Sequence, residues 1–130
     1  MTKEQILSGD IAEFMMRKYP KVIYRFDAVA DMKITIGQAS RVKRLHGEKN
    51  RGYPDLFIAK PNKYYHGLYL ELKATGSSPF KLNGELKKSE HLKTQQRVHD
   101  KLRDEGYEAK FVTGLKEAIE VIEDYMDEAK

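Results

Sequence analysis

Cysteine is absent from this 130-residue chain, which removes disulfide bonds, thiolate zinc sites and cysteine nucleophiles at once. Any metal must be held by carboxylate, carbonyl or imidazole groups. Long apolar runs are missing too: no stretch reaches the roughly 18 residues that suggest a membrane-spanning helix. The opening MTKEQILSGD lacks the basic-then-apolar layout of an export signal. The expectation is a cytoplasmic protein without a membrane partner. No GxxxxGK phosphate loop, HExxH pair or internal repeat is present. With 40% hydrophobic residues, the chain can build one core but not two ordinary domains, so residues 1–130 are expected to form a single domain.

Charge is plentiful and unevenly spread. Charged residues make up 34% of the chain and the formal net charge is +4. Residues 33–51 carry Lys33, Arg41, Lys43, Arg44, Lys49 and Arg51 against Glu48 alone. Residues 81–103 hold seven bases against Glu85, Glu90 and Asp100, whereas residues 117–130 hold six acids against Lys130. Such runs are commonly solvated faces. Flanking a site, they would instead be the footprint of a polyanion, with Arg41, Lys43, Arg44 and Arg51 as candidate nucleic-acid contacts.

Leu7, Ile11, Phe14 and Met15 recur at the spacing of one helical face, predicting a helix over 3–18. Tyr19-Pro20 ends it, because a residue before proline is pushed out of the helical region. Residues 22–26, rich in β-branched and aromatic side chains, read as a strand. From Asp27 to Gly52 the chain is a basic excursion, in which Ile34, Gln38, Arg41 and Leu45 permit a short helix while Gly37, Gly47 and Gly52 favour loops. Residues 55–59 and 67–73 read as strands apolar on both faces, central in a covered sheet. Residues 74–88 form a loop rich in Gly, Ser and Lys. Leu92, Val98 and Leu102 mark a helix stopping at Gly106, residues 109–113 a fourth strand, and Leu115, Ala118, Ile119 and Ile122 a last helix. The order α, β, β, β, α, β, α implies an α/β sandwich.

The chemistry centres on GLYLELK. Side chains alternate along a strand, so Glu71 and Lys73 share one face at about 7 Å between Cα atoms. A cross-strand ion pair, or emergence into solvent, would account for them blandly. However, the short connection 60–66 makes the strands on either side antiparallel neighbours, which brings Asp55 beside Glu71 and Lys73. Pro54-Asp55 is also ordinary turn chemistry. Two carboxylates in one place repel unless a proton or cation neutralises them, and oxygen ligands suit Mg²⁺ or Mn²⁺. Gln95 falls on the apolar face of its helix, where the amide needs a partner in the site or a backbone carbonyl. His46, His66, His91 and His99 show no metal spacing and are expected at the surface.

GYPDLFI, then GLYLELK, then a helix with Gln95, then Leu102 and Gly106-Tyr107, together resemble the VRR-NUC family of the PD-(D/E)XK nuclease superfamily, particularly its standalone phage and bacterial members. Arg25-Phe26-Asp27, ITIGQ at 34–38 and the final helix extend the likeness over nearly the whole chain. The resemblance implies a three-layer α/β/α sandwich with a central mixed four-stranded sheet, restriction-endonuclease-like. It implies that Asp55, Glu71 and the carbonyl of Leu72 bind Mg²⁺ or Mn²⁺, that Lys73 is the catalytic lysine, and that Gln95 is the accompanying glutamine. It also implies a first-helix acid, for which Glu4 fits and Glu13 is the rival. The implied activity is metal-dependent cleavage of DNA, branched as a four-way junction or flap, by a homodimer in the cytoplasm of a phage host or bacterium. The alternative is a non-cleaving or accessory DNA-binding module that keeps the fold. Tyr64, Tyr65 and Phe80 are candidate surface contacts.

Overall fold

A computed structural model describes residues 1–27, 34–47 and 51–128. Lys33, Glu48, Lys49 and Lys130, counted in the charge pattern above, lie outside them. Helix α1 (Lys3–Lys18) opens with a capping box: the Thr2 hydroxyl accepts from the Gln5 N–H at 3.1 Å, and Gln5 Oε1 accepts from the Thr2 N–H at 2.9 Å. It buries Leu7, Ile11, Phe14 and Met15, the predicted face. Strand β1 (Tyr24–Phe26) is shorter than the 22–26 expected, and Ile23 is exposed. Helix α2 (Ile36–His46) adds an element to the predicted order. Its N-terminus carries the same capping box, from Thr35 and Gln38, and it buries none of its residues.

Strands β2 (Leu56–Ile58), β3 (Leu68–Lys73) and β4 (Glu108–Thr113) complete a sheet of order β1-β2-β3-β4. The first two pairings are antiparallel and the last is parallel, so the sheet is mixed. The parallel pair needs a crossover, supplied by α3 (Glu90–Asp104), which stops before Gly106 at φ 97°. Helix α4 (Gly114–Asp127) ends the described fold.

Alternation sorts the sheet's two faces. Leu56, Ile58, Leu68, Leu70, Leu72 and Val112 pack with Leu7, Ile11, Phe14 and Met15 of α1 and Ala118, Ile122 and Tyr125 of α4, forming the hydrophobic core. Tyr69, Glu71 and Lys73 face the other way, where Phe57 stacks on Tyr69 at 4.4 Å and α3 brings Gln95 and His99. The result is three layers, α1 and α4, then the sheet, then α3. The 60–66 connection is pinned by buried Asn62, whose Oδ1 accepts from the N–H groups of Tyr64 and Tyr65. Residues 79–87 form a small hairpin through a Phe80–Leu86 bridge rather than a plain loop.

Candidate active site

Buried Pro54 leads the chain into Asp55 at the mouth of β2. Leu56 pairs with Leu70, so extending that register sets Asp55 opposite Glu71 and Pro54 opposite Leu72. Proline has no N–H to give a ladder bond. Leu72 donates its own N–H to Asp55 Oδ2 instead, at 2.8 Å. Its carbonyl leaves the strand on the same side as its N–H, toward an edge where Pro54 offers no donor. The Pro-Asp sequence therefore both anchors the Asp55 carboxylate and frees a backbone oxygen beside it.

Glu71 is 5% exposed. Its carboxyl is held well above the usual carboxylate range, first by burial and then by hydrogen bonding to, and the charge of, Asp55; Lys73 opposes the shift and Glu4 adds to it. The crowded pair keeps a proton that an isolated glutamate would have lost. Lys73 Nζ lies 3.9 Å from Glu71 Oε2 and donates to Gln95 Oε1 at 3.1 Å, above the Phe111 ring at 5.8 Å from its centroid. An ammonium only donates, which orients the Gln95 amide. Gln95 Nε2 then faces His91 Nε2 at 3.2 Å, with the amide as donor and the ring nitrogen as acceptor. One polar line thus runs from the buried acids through Lys73 and Gln95 to exposed His91. Gly52, at φ 85°, holds the loop before Pro54 against α3: a Cβ there would stand 3.1 Å from the backbone of Thr94 and Gln95.

Asp55, Glu71, Lys73 and Gln95 are therefore brought together, and Glu4 of α1 lies where its charge acts on Glu71. Glu13 instead pairs with Arg17 on the exposed side of α1, at 3.8 Å. Arg41, Lys43 and Arg44 are exposed on α2, and Arg51 is exposed just before Gly52. Among the described residues, no three acidic or imidazole side chains gather as a metal cage. The available donors are two carboxylates and the Leu72 carbonyl, all hard oxygens. Mg²⁺ is characteristically held by one or two carboxylates, with waters and substrate phosphates completing its shell. A pair of acids already holding a proton between them suits replacement of that proton by a divalent cation, so the residues fit the group.

The expectation of surface histidines fails for His99. It is fully buried, its ring 4.6 Å from that of Phe111, and neither ring nitrogen has a hydrogen-bond partner among the described residues. Burial, then the charge of Arg103, lowers its pKa to about 4. The folded state thus binds fewer protons than the unfolded chain between pH 6.5 and about 4, and stability is lost as pH falls through that window, by about 3 kcal/mol in full. His99→Phe is expected to gain stability over wild type progressively from pH 6.5 down to 4, as read by urea midpoints. An equal gap at pH 7.5 and pH 4.5 would contradict it. His91 and Phe111 were also missed by sequence reasoning. The first was detectable as Gln95's i−4 neighbour on one helix; the second depends on the parallel Glu71–Phe111 pairing, which no local pattern encodes.

A solved structure described as "VRR_NUC domain protein" superposes with a TM-score of 0.66 at 24% identity, covering 100% of this chain and 93% of that one. The likeness shows the fold. This chain has a mixed four-stranded sheet between helical layers, the restriction-endonuclease-like α/β architecture that it shares with that VRR_NUC domain protein. No family model and no curated protein matches the chain. Among the described residues no helix is long and apolar enough to cross a membrane. In this fold Glu71 and Lys73 stand at the end of β3 and Asp55 just before β2, beside them.

Proposed function

We propose that this chain is a Mg²⁺- or Mn²⁺-dependent DNA endonuclease acting on branched DNA. The observation that carries the reading is the buried Glu71 carboxyl in contact with Asp55 and 3.9 Å from Lys73 Nζ, on a VRR_NUC fold. Asp55, Glu71 and the Leu72 carbonyl would hold the cation, which when bound supplies Lewis acidity at the phosphate and acidifies a water. Lys73, fixed by Gln95, presents a compact positive charge to the scissile phosphate and the attacking water. Gln95 acts through Lys73, and His91 through Gln95. Glu4 adds negative charge at the rim of the acid pair.

Cleavage of labelled linear duplex, flap, splayed and four-way DNA with Mg²⁺, Mn²⁺ or EDTA tests this. Metal-dependent nicking, fastest on branched substrates, is expected; no product with either metal would leave only a non-cleaving DNA-binding module. Resolving a four-way junction takes two symmetric nicks, and a two-fold dimer provides two sites. Light scattering at micromolar concentration is expected to give the dimer mass.

Binding is expected to be steeply salt dependent, because Arg41, Lys43, Arg44 and Arg51 would release counterions from phosphates. Each neutralised phosphate contributes a log-log slope of about −0.9 on duplex DNA. Replacing Arg41, Lys43 and Arg44 together with Ala should flatten the slope by about 2 to 3 without moving the cut. An unchanged slope would remove α2 from the interface.

A further inference from the structure

The hairpin between β3 and α3 presents an apolar tip. Lys81 N–H donates to the Glu85 carbonyl at 2.7 Å, Gly84 N–H to that of Lys81 at 2.9 Å, and Lys87 N–H to that of Pro79 at 2.8 Å. Asn83 Oδ1 accepts from the Glu85 N–H at 3.0 Å, closing the turn. At this tip Leu82 is 110% exposed, with its entire side chain in water. A lone exposed leucine carries no meaning by itself. What distinguishes this one is the base on which it stands and the charge around it.

Pro79 at the root is fully buried. Phe80 meets Phe111 edge-on at 5.8 Å, and that same Phe111 ring lies under Lys73 Nζ. The hairpin is thus braced against the residue supporting the proposed catalytic lysine, and its tip lies only two residues beyond Phe80. Lys81 next to the leucine, and Lys87 and Lys88 at the root of the hairpin, are exposed, although Lys81 shares its charge with Glu85 at 4.0 Å. An apolar tip on a lysine-bearing hairpin repels neither partner that a nucleic acid offers: phosphates meet the ammonium groups, and base faces meet the leucine. Aliphatic side chains inserted between base steps unstack them, an exchange that costs least where pairing is already interrupted.

We infer that Leu82 is a wedge that enters the stack at a DNA branch point while Lys81, Lys87 and Lys88 hold the flanking phosphates, making the hairpin the element that selects branched over linear DNA. The inference rests on the DNA-nuclease reading for its ligand. It assigns the preference for branches to a part of the molecule outside the metal site.

The test uses a four-way junction with 2-aminopurine beside the branch point, its fluorescence read in EDTA so that no cleavage is needed. Wild type and Leu82→Met should brighten the probe, whereas Leu82→Ala should bind without brightening it. With Mg²⁺, Leu82→Ala should cut four-way and flap DNA about tenfold more slowly, a loss of ~1.4 kcal/mol, with linear duplex cleavage unchanged. Brightening by Leu82→Ala equal to wild type, or an undiminished branched rate, would overturn the wedge. A wild type that cuts without brightening the probe overturns the wedge alone. One that brightens it but never cuts overturns the nuclease reading and leaves the wedge standing.

Discussion

Glu71→Gln is expected to abolish metal-dependent cleavage, by about a thousandfold or more, while making the metal-free protein more stable. Both effects follow from one crowded carboxyl pair. The amide keeps the shape of the neutral carboxyl but cannot supply a charged oxygen to a cation, so the catalytic loss should be near complete. Stability moves the other way. Glu71's pKa is raised in the folded state, so its contribution is fully present below the unfolded value of about 4.5 and is lost as pH rises toward the folded one. Glutamine removes that loss. Calorimetry in EDTA at pH 8 should show a melting temperature higher by about 3 °C or more, with the gap closing by pH 4. Asp55→Asn should likewise fail to cut, although its Oδ1 can still accept the Leu72 N–H. Cleavage near the wild-type rate by either variant would sink the site assignment.

Lys73→Arg is expected to lower kcat by about a hundredfold to a thousandfold with little change in DNA affinity. The Lys73 side chain is 13% exposed and its ammonium is enclosed by Gln95, Glu71 and the Phe111 ring. A planar guanidinium on a longer stem does not occupy the space of a compact point charge. Gln95→Ala should produce a smaller fall of the same kind, because it leaves the ammonium in place but unaimed. Single-turnover rates at saturating enzyme separate these effects from binding. An active Lys73→Arg would show that only charge, not position, matters there.

The acid pair was legible in the sequence because its placement depends on two strands joined by a short connection. Antiparallel neighbours put the start of one beside the end of the next, and Asp55 and Glu71 occupy those ends. Gln95 was legible as a polar residue on an apolar helical stripe, and its partner proved to be Lys73 rather than a backbone carbonyl. Helix α2 was obscured because it buries nothing, so no apolar face marks it. Its signal is Thr35-x-x-Gln38, a capping box beside Gly37, which reads equally as a breaker. His99 was hidden for a different reason. The Phe111 ring against it arrives on β4 through a parallel crossover, and such pairings leave no mark in local periodicity. The Phe80–Leu86 hairpin has a single bridge, too short for alternation to reveal.

On the proposed function, Asp55 and Glu71 together would hold a divalent cation in place of their retained proton. Calorimetric titration of Mn²⁺ and Mg²⁺ at pH 7.5, repeated in two buffers of different ionisation enthalpy, measures binding and proton release together. Wild type is expected to show saturable binding with release of up to one proton per cation, and at a hundredfold excess over Kd a gain of about 2.7 kcal/mol in unfolding free energy. Asp55→Asn is expected to lose both. Wild type that binds neither cation, or an Asp55→Asn protein that binds with the same affinity and proton release, would contradict it.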